Sequence, residues 1–249
     1  SFFSCSTLCH PGGIGMSPSH ILTGTKTSLA FAYDLQTFDK PILTIDLGTS
    51  AICCRENSYY TLAACEDGKV KLLDGGLRSN KILHNLEAHT GPCSDVWLSP
   101  NDSTLYTCGR VARPINPHDA LSPIKYSYDP LVKVFDLRTN RQLPPLRMQN
   151  AYPNYIRFVP PPLSMGGYGA HMLLVSSNGA IQVIDPNGNN MDTQNLFAPL
   201  STQRDSVTSV AVSSSGQLFA TGNYSGTLSQ FALGLSNEEY NLGQIQKIN

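Results

Sequence analysis

Four of five short apolar runs in this 249-residue chain end on a carboxylate: Asp34, Asp74, Asp136 and Asp185, with Ala232 closing the fifth. Two carboxylates share acid and base work only when they stand about 5 to 9.5 Å apart, and a repeating fold would hold these four in separate units. The other role for an Asp after an apolar run is local. Its oxygens accept hydrogen bonds from the backbone N–H groups of the turn that follows, and that is the expectation here.

His89 would need a nucleophile beside it to act as a base, and the sequence holds no G-x-S-x-G elbow, P-loop or H-E-x-x-H. Its place in a turn before an apolar run points to a structural histidine. Gly166-Gly167-Tyr168-Gly169 is not followed by a helical pattern, so it reads as a loop rather than a phosphate cradle. Cys5, Cys9, His10 and His20 match the spacing of no standard zinc module. Cys53, Cys65, Cys93 and Cys108 fall in predicted strands as small buried hydrophobes, which suits a reducing compartment. The expectation is therefore no catalytic residue, no metal ligand and no cofactor in this segment, and a cytoplasmic location.

Recognition chemistry concentrates in residues 109–130. Arg110, Arg113 and Lys125 can pair with phosphate or carboxylate, and Tyr126 and Tyr128 can stack on bases or bury in a partner's groove. Asp119 and Asp129 leave the segment a net charge of about +1. Four prolines and no apolar alternation make it a long loop, and long loops are either functional or disordered. Both outcomes stay open, for this loop and for the shorter Pro/Gly excursion over 160–170.

The elements that must position these residues repeat. The runs LAFAYD (Leu29 to Asp34), KVKLLD (Lys69 to Asp74), LVKVFD (Leu131 to Asp136), AIQVID (Ala180 to Asp185) and TLSQFA (Thr227 to Ala232) each follow a turn residue: Ser28, Gly68, Pro130, Gly179 and Gly226. Their closing positions are separated by 74 − 34 = 40, 136 − 74 = 62, 185 − 136 = 49 and 232 − 185 = 47 residues. A period near 40 to 45 with several short strands per unit belongs to an all-β, WD40-type β-propeller, and the 62 is one blade with an insertion of about 20 residues.

Second strands are predicted at His20 to Thr25, Tyr60 to Cys65, Thr104 to Cys108, Met172 to Ser176 and Leu218 to Gly222. The plainest first strands are Ser94 to Leu98, Tyr155 to Val159 and Val207 to Val212, which assigns Trp97 and Arg157 to core and blade surface. Outer strands are expected at Ile42 to Leu47, Lys81 to Leu86, Gln142 to Met148 and Leu196 to Leu200. Ser99-Pro100-Asn101-Asp102 and Ser213-Ser214-Ser215-Gly216 read as equivalent turns. About five blades are recognisable over 1–249, residues 1–18 look like the remnant of another, and closure of the sheet edges predicts seven in the intact ring.

Composition agrees with a turn-rich β fold. Charged residues are only 14%, Gly and Pro together number 20 + 17 = 37, and 41% hydrophobic content supplies a core. A net charge of −1 leaves no global footprint for nucleic acid or an anionic membrane. No apolar run is long enough for a membrane-spanning helix, and the first residues lack the features of a secretory signal. The chain is expected to be a piece of a longer polypeptide.

Between Ser94 and Pro161 the order of motifs is more specific. SDVWLSPNDSTLYTCGR, a Pro-rich interruption, PLVKVFDLRTNRQLPPL and NYIRFVPP together resemble the N-terminal WD40 domain of the large, nuclease-bearing subunit of the Pan poly(A)-nuclease deadenylase. The resemblance covers about 70 residues well and the rest loosely. No blade has the full polar tetrad of the standard repeat: Ala88-His89 stands for Gly-His, and Leu73, Phe135, Ile184 and Phe231 stand where Trp would precede the closing residue.

The resemblance implies a noncatalytic interaction platform in mRNA decay, whose parent chain continues into an inactive ubiquitin-hydrolase-like domain and a Mg-dependent 3′-exonuclease. The implied partners are the pseudokinase-like adaptor subunit of the Pan complex and, directly or through it, poly(A)-binding protein and poly(A) RNA. The rival readings are a generic WD40 scaffold of an unrelated assembly and a propeller enzyme with a channel site.

Overall fold

Strands such as YTLAAC and KVKLLD place apolar residues on both faces, so the sheets they form must be covered on both sides. The computed structural model describes residues 14–16, 20–24, 27–34, 36–37, 39–56, 60–74, 79–99, 101–119, 121–148, 151–159, 171–184, 190–195, 206–213, 218–236 and 239–248. Among these there are strands and turns and no helix.

The strands make five consecutive antiparallel sheets. The first holds β1 (Ile14–Met16), β2 (His20–Gly24), β3 (Leu29–Asp34) and β4 (Leu43–Asp46). The second holds β5 (Ala51–Glu56), β6 (Tyr60–Cys65), β7 (Lys69–Asp74) and β8 (Ile82–Glu87). The third holds β9 (Cys93–Leu98), β10 (Thr104–Pro114), β11 (Ile124–Tyr128), β12 (Leu131–Asp136) and β13 (Arg141–Arg147). The fourth holds β14 (Pro153–Val159), β15 (His171–Ser176), β16 (Ala180–Ile184) and β17 (Asn190–Asn195). The fifth holds β18 (Val207–Val212), β19 (Leu218–Asn223), β20 (Leu228–Ser236) and β21 (Glu239–Ile248).

The first strands β1, β5, β9, β14 and β18 touch in that order, and the sheets stack face to face like propeller blades. Strand parity then sorts the core. Leu62 and Ala64 of β6 pack toward the third sheet, while Ala63 and Cys65 pack toward the first. In the same way Leu173 and Val175 face the fifth sheet, and Met172 and Leu174 face the third. Each interface thus has its own apolar layer, which a blade can bury only against its neighbours.

The repeated grammar is visible in the turns. Seven positions before each closing residue stand Thr27, Asp67, Asp129, Asn178 and Ser225. In four of these, the side-chain oxygen accepts the N–H two residues on: Leu29, Lys69, Leu131 and Ala180. Gly68, Gly179 and Gly226 follow with φ of 84°, 86° and 86°, a region that favours glycine. The turns from Ser99 and Ser213 are closed by the same two bonds, Ser99 N to Thr104 O and Thr104 N to Ser99 Oγ in one, Ser213 N to Leu218 O and Leu218 N to Ser213 Oγ in the other.

Several sequence expectations are corrected. Residues 14–16 form the inner strand of the first blade rather than a remnant of another. The outer strand of the fourth sheet is Asn190–Asn195, and the expected run over 196–200 lies outside the described residues, as do 160–170 with their glycines. The segment 109–130 is not a loop: β10 continues to Pro114 and pairs with β11 as a hairpin. Where Gly68, Gly179 and Gly226 turn directly with positive φ, this blade enters β12 from the hairpin through Pro130, whose φ is fixed near −65°.

Candidate partner-binding site

The hairpin gathers all five residues singled out for recognition and divides them between two faces. Its register pairs Arg110 with Tyr128, Ala112 with Tyr126, Arg113 with Lys125 and Pro114 with Ile124. Alternation puts Arg110, Tyr126 and Tyr128 on one face and Arg113 and Lys125 on the other. The Arg110 guanidinium lies 5.0 Å from the Tyr128 ring centroid, and Tyr128 is tilted against Tyr152 at 6.4 Å. Tyr126 lies over Gly91, where a Cβ would come within 2.8 Å of the ring. Arg113 and Lys125 are exposed and face each other across the strands.

The tip is ordered by its own side chains. Asn116 N donates to Ser122 Oγ at 2.7 Å, His118 N to Asn116 Oδ1 at 3.1 Å and Leu121 N to Asp119 Oδ1 at 2.9 Å. Sequence reasoning missed the apolar residues there. Ile115, Leu121 and Ile124 are 66%, 93% and 60% exposed, and their scatter among prolines hides the surface they make.

The base of the hairpin is latched. His89 Nδ1 lies 3.0 Å from Asp129 Oδ2, and His89 Nε2 lies 3.5 Å from Thr107 Oγ1, which donates to Asp95 O at 3.2 Å. Gly109 leaves the space, since a Cβ there would stand 2.8 Å from the His89 ring. His89 is therefore structural, holding three members of the tetrad that the sequence left incomplete. Burial pushes the Asp129 carboxyl up, but the His89 and Leu131 hydrogen bonds outweigh it and hold it below the usual carboxylate range. Asp129 is 4% exposed and turned to His89, so the charges the hairpin presents to solvent are Arg110, Arg113 and Lys125 against Asp119.

A second polar cluster ties the inner strands together. Arg157 and Asp95 are each 1% exposed and form an ion pair through Arg157 Nη1 and Asp95 Oδ2. Asp95 also accepts from Ile156 N at 3.0 Å, Val96 N at 3.0 Å and Cys53 Sγ at 3.2 Å. Arg157 Nε donates to Val210 O at 3.1 Å, and its guanidinium lies 4.9 Å from the Trp97 ring centroid. One ion pair thus bridges β5, β9, β14 and β18. Arg157 was expected on a blade surface and is instead central, because a first strand faces the axis where neighbouring blades converge.

Two of the closing carboxylates, Asp34 and Asp136, act as turn caps. Asp34 accepts from Gln36 N at 2.8 Å and Asp136 from Arg138 N at 2.9 Å, and the Arg138 N–H holds the Asp136 carboxyl below its ordinary range. Burial pushes the Cys65 and Cys93 thiols up to about 12, and Cys108 is likewise raised; such thiols are inert. Among the described residues no group of three or more His, Cys, Asp or Glu is placed to hold a metal. Asp185, Cys5, Cys9, His10 and the His20 side chain lie outside them.

A family model described as PAN2 N-terminal matches residues 16–232. The PAN2-PAN3 deadenylation complex catalytic subunit PAN2 of Debaryomyces hansenii is 29% identical over 185 residues, covering 72% of this chain and 15% of that protein. The corresponding subunit of Mus musculus is 30% identical over 134 residues, covering 54% and 10%, and that of Saccharomyces cerevisiae is 29% identical over 154 residues, covering 57% and 12%. The chain therefore spans a small part of these relatives. The solved Pan2 WD40 domain of Neurospora crassa superposes with a TM-score of 0.60 at 21% identity, over 84% of this chain and 58% of that one, which establishes the WD40 propeller fold.

Proposed function

The chain belongs to the PAN2 N-terminal family, whose model covers residues 16–232, and from that premise we propose that it is the noncatalytic propeller platform of a poly(A)-specific deadenylase. The parent chain would continue into the inactive ubiquitin-hydrolase-like domain and the Mg-dependent 3′-exonuclease, so chemistry and metal belong outside these residues. The partner is the pseudokinase-like adaptor, PAN3 in the names of the relatives. Poly(A) RNA coated with poly(A)-binding protein is reached through it or directly, in the cytoplasm. Buried thiols at Cys53, Cys54, Cys65, Cys93 and Cys108, none in a disulfide, suit that location.

The observation that carries the reading is the combination of inner strands tied by a buried ion pair with an exposed hairpin. Four inner strands are fixed by one buried ion pair, and the third blade presents solvent-facing apolar and cationic side chains on a latched stem. A stable contact buries about 1,600 Å² in total, so the hairpin would be one part of a larger footprint. The test is co-purification of the adaptor with the full-length protein, with and without residues 14–248, alongside poly(A) shortening on RNA bound by poly(A)-binding protein. Loss of both on deletion is expected; undiminished adaptor capture and shortening would overturn the platform.

A further inference from the structure

The free edge of β11 is unusual in what it exposes. Gly91 N donates to Arg110 O at 2.9 Å and Arg110 N donates to Pro92 O at 2.8 Å, so the backbone groups of Arg110 point away from β11. In an antiparallel ladder the bonded and non-bonded pairs alternate. Arg110 with Tyr128, Ala112 with Tyr126 and Pro114 with Ile124 are therefore the non-bonded pairs. The bonds Asp129 N to Gly109 O at 3.0 Å and Ile115 N to Pro123 O at 2.9 Å fall on the other set, as this requires. It follows that the N–H and C=O groups of Ile124, Tyr126 and Tyr128 point outward, and no strand among the described residues pairs with β11 on that side.

The same sheet shows what a protected edge looks like. Its far edge, β13, carries Pro144 and Pro145 between Arg141 and Arg147, and proline and charge both discourage strand addition. β11 reads IKYSY, with strand-forming residues and no proline. Its one cation, Lys125, lies directly across from Arg113. Like charges facing each other across strands are unfavourable, and an anionic side chain laid over the pair would relieve them. Nucleic acid fits less well: Tyr128 is taken up by Arg110 on its ring and by Tyr152 beside it, which leaves Tyr126 as the one exposed ring on this strand.

We propose that β11 is an acceptor edge for an extended peptide that joins the third sheet as a further strand. Its aliphatic side chains would lie beside Ile124, Tyr126 and Tyr128, and its intervening acidic side chains over Lys125 and Arg113. Backbone bonds supply the affinity and the alternating side chains the selectivity. This deepens the platform reading and rests on it, by naming how one segment of a partner is held.

The test uses the full-length protein and a labelled short peptide alternating valine with glutamate. Its comparators are a scramble of equal composition, a valine–lysine alternation and an oligoadenylate, all read by fluorescence anisotropy. The Tyr126→Pro change removes an outward N–H without touching a hairpin bond, and edge strands accept such a proline; Tyr126→Ala reports the side chain alone. Tyr126→Pro should weaken the acidic peptide roughly tenfold, the scale of a lost bond plus a blocked edge, and Tyr126→Ala should weaken it less. Lys125→Ala should lower both affinity and its salt dependence. Amide exchange of the unmutated protein should slow at Ile124, Tyr126 and Tyr128 when the peptide is added, a readout that no variant's folding can disturb. Equal binding of the scramble, unchanged exchange, or oligoadenylate as the only ligand would overturn the proposal. Adaptor capture separates the two claims, since a failed peptide with intact adaptor binding removes the edge and leaves the platform.

Discussion

Replacing Arg157 with leucine should be among the most damaging single changes outside the turns. The guanidinium is 1% exposed, pairs with an equally buried Asp95, bonds Val210 O and stacks on Trp97. In Arg157→Leu the Asp95 carboxylate keeps the Ile156 and Val96 N–H groups and loses its counter-charge. Breaking a buried ion pair on one side costs about 3–5 kcal/mol, and for a chain of this size each kcal/mol lowers Tm by about 2–4 °C. The expected fall in Tm is thus of order 6–20 °C, read by calorimetry or tryptophan fluorescence, for which Trp97 is a built-in reporter. The cycle is completed by Asp95→Leu and the double variant. Because a buried pair can be replaced by apolar residues with little loss, the double should be closer to wild type than either single. A single costing under about 1 kcal/mol, or a double at the sum of the singles, would refute the account of the pair as the tie between β9, β14 and β18.

The remaining expectations concern turns, pH and thiols. Gly68→Ala should destabilise far more than Gly226→Ala in urea unfolding: both have positive φ, which costs about 1–2 kcal/mol, but a Cβ at Gly68 would collide with the backbone of His89 and Gly91 while no atom lies within 4 Å of one at Gly226. Asp129 has a depressed folded pKa, so its contribution is present above the unfolded value of about 3.9 and lost as pH falls through the folded one. The stability gap between wild type and Asp129→Asn should accordingly stay level above about pH 5 and shrink in acid below about pH 4. With Cys65 and Cys93 raised to about 12, iodoacetamide at mildly alkaline pH should leave the Cys65 and Cys93 peptides unlabelled until the chain unfolds, as peptide mapping would show. Arg113→Ala with Lys125→Ala should leave Tm unchanged, as both side chains are exposed and face like charge; a fall of several degrees would mean that the hairpin depends on them.

The amino-acid sequence by itself determined the blades, because strand alternation, Asx turns and positive-φ glycines are local properties that recur in a fixed frame. LAFAYD, KVKLLD and LVKVFD coincide with β3, β7 and β12, and the expectation of recognition at Arg110, Arg113, Lys125, Tyr126 and Tyr128 rests on side-chain chemistry that needs no coordinates. Pro130 stands where three other blades have glycine, and with the three further prolines of 109–130 it made the segment read as a loop. What tertiary structure decided was partnership across blades. Asp95 and Arg157 are opposite charges inside apolar strands 62 residues apart, and Asp129 meets His89 across 40. Both separations equal blade intervals, 136 − 74 = 62 and 74 − 34 = 40, yet an interval does not say which side chains meet; that is fixed by how sheets converge, and the same convergence turned Arg157 from a surface residue into the one that joins them.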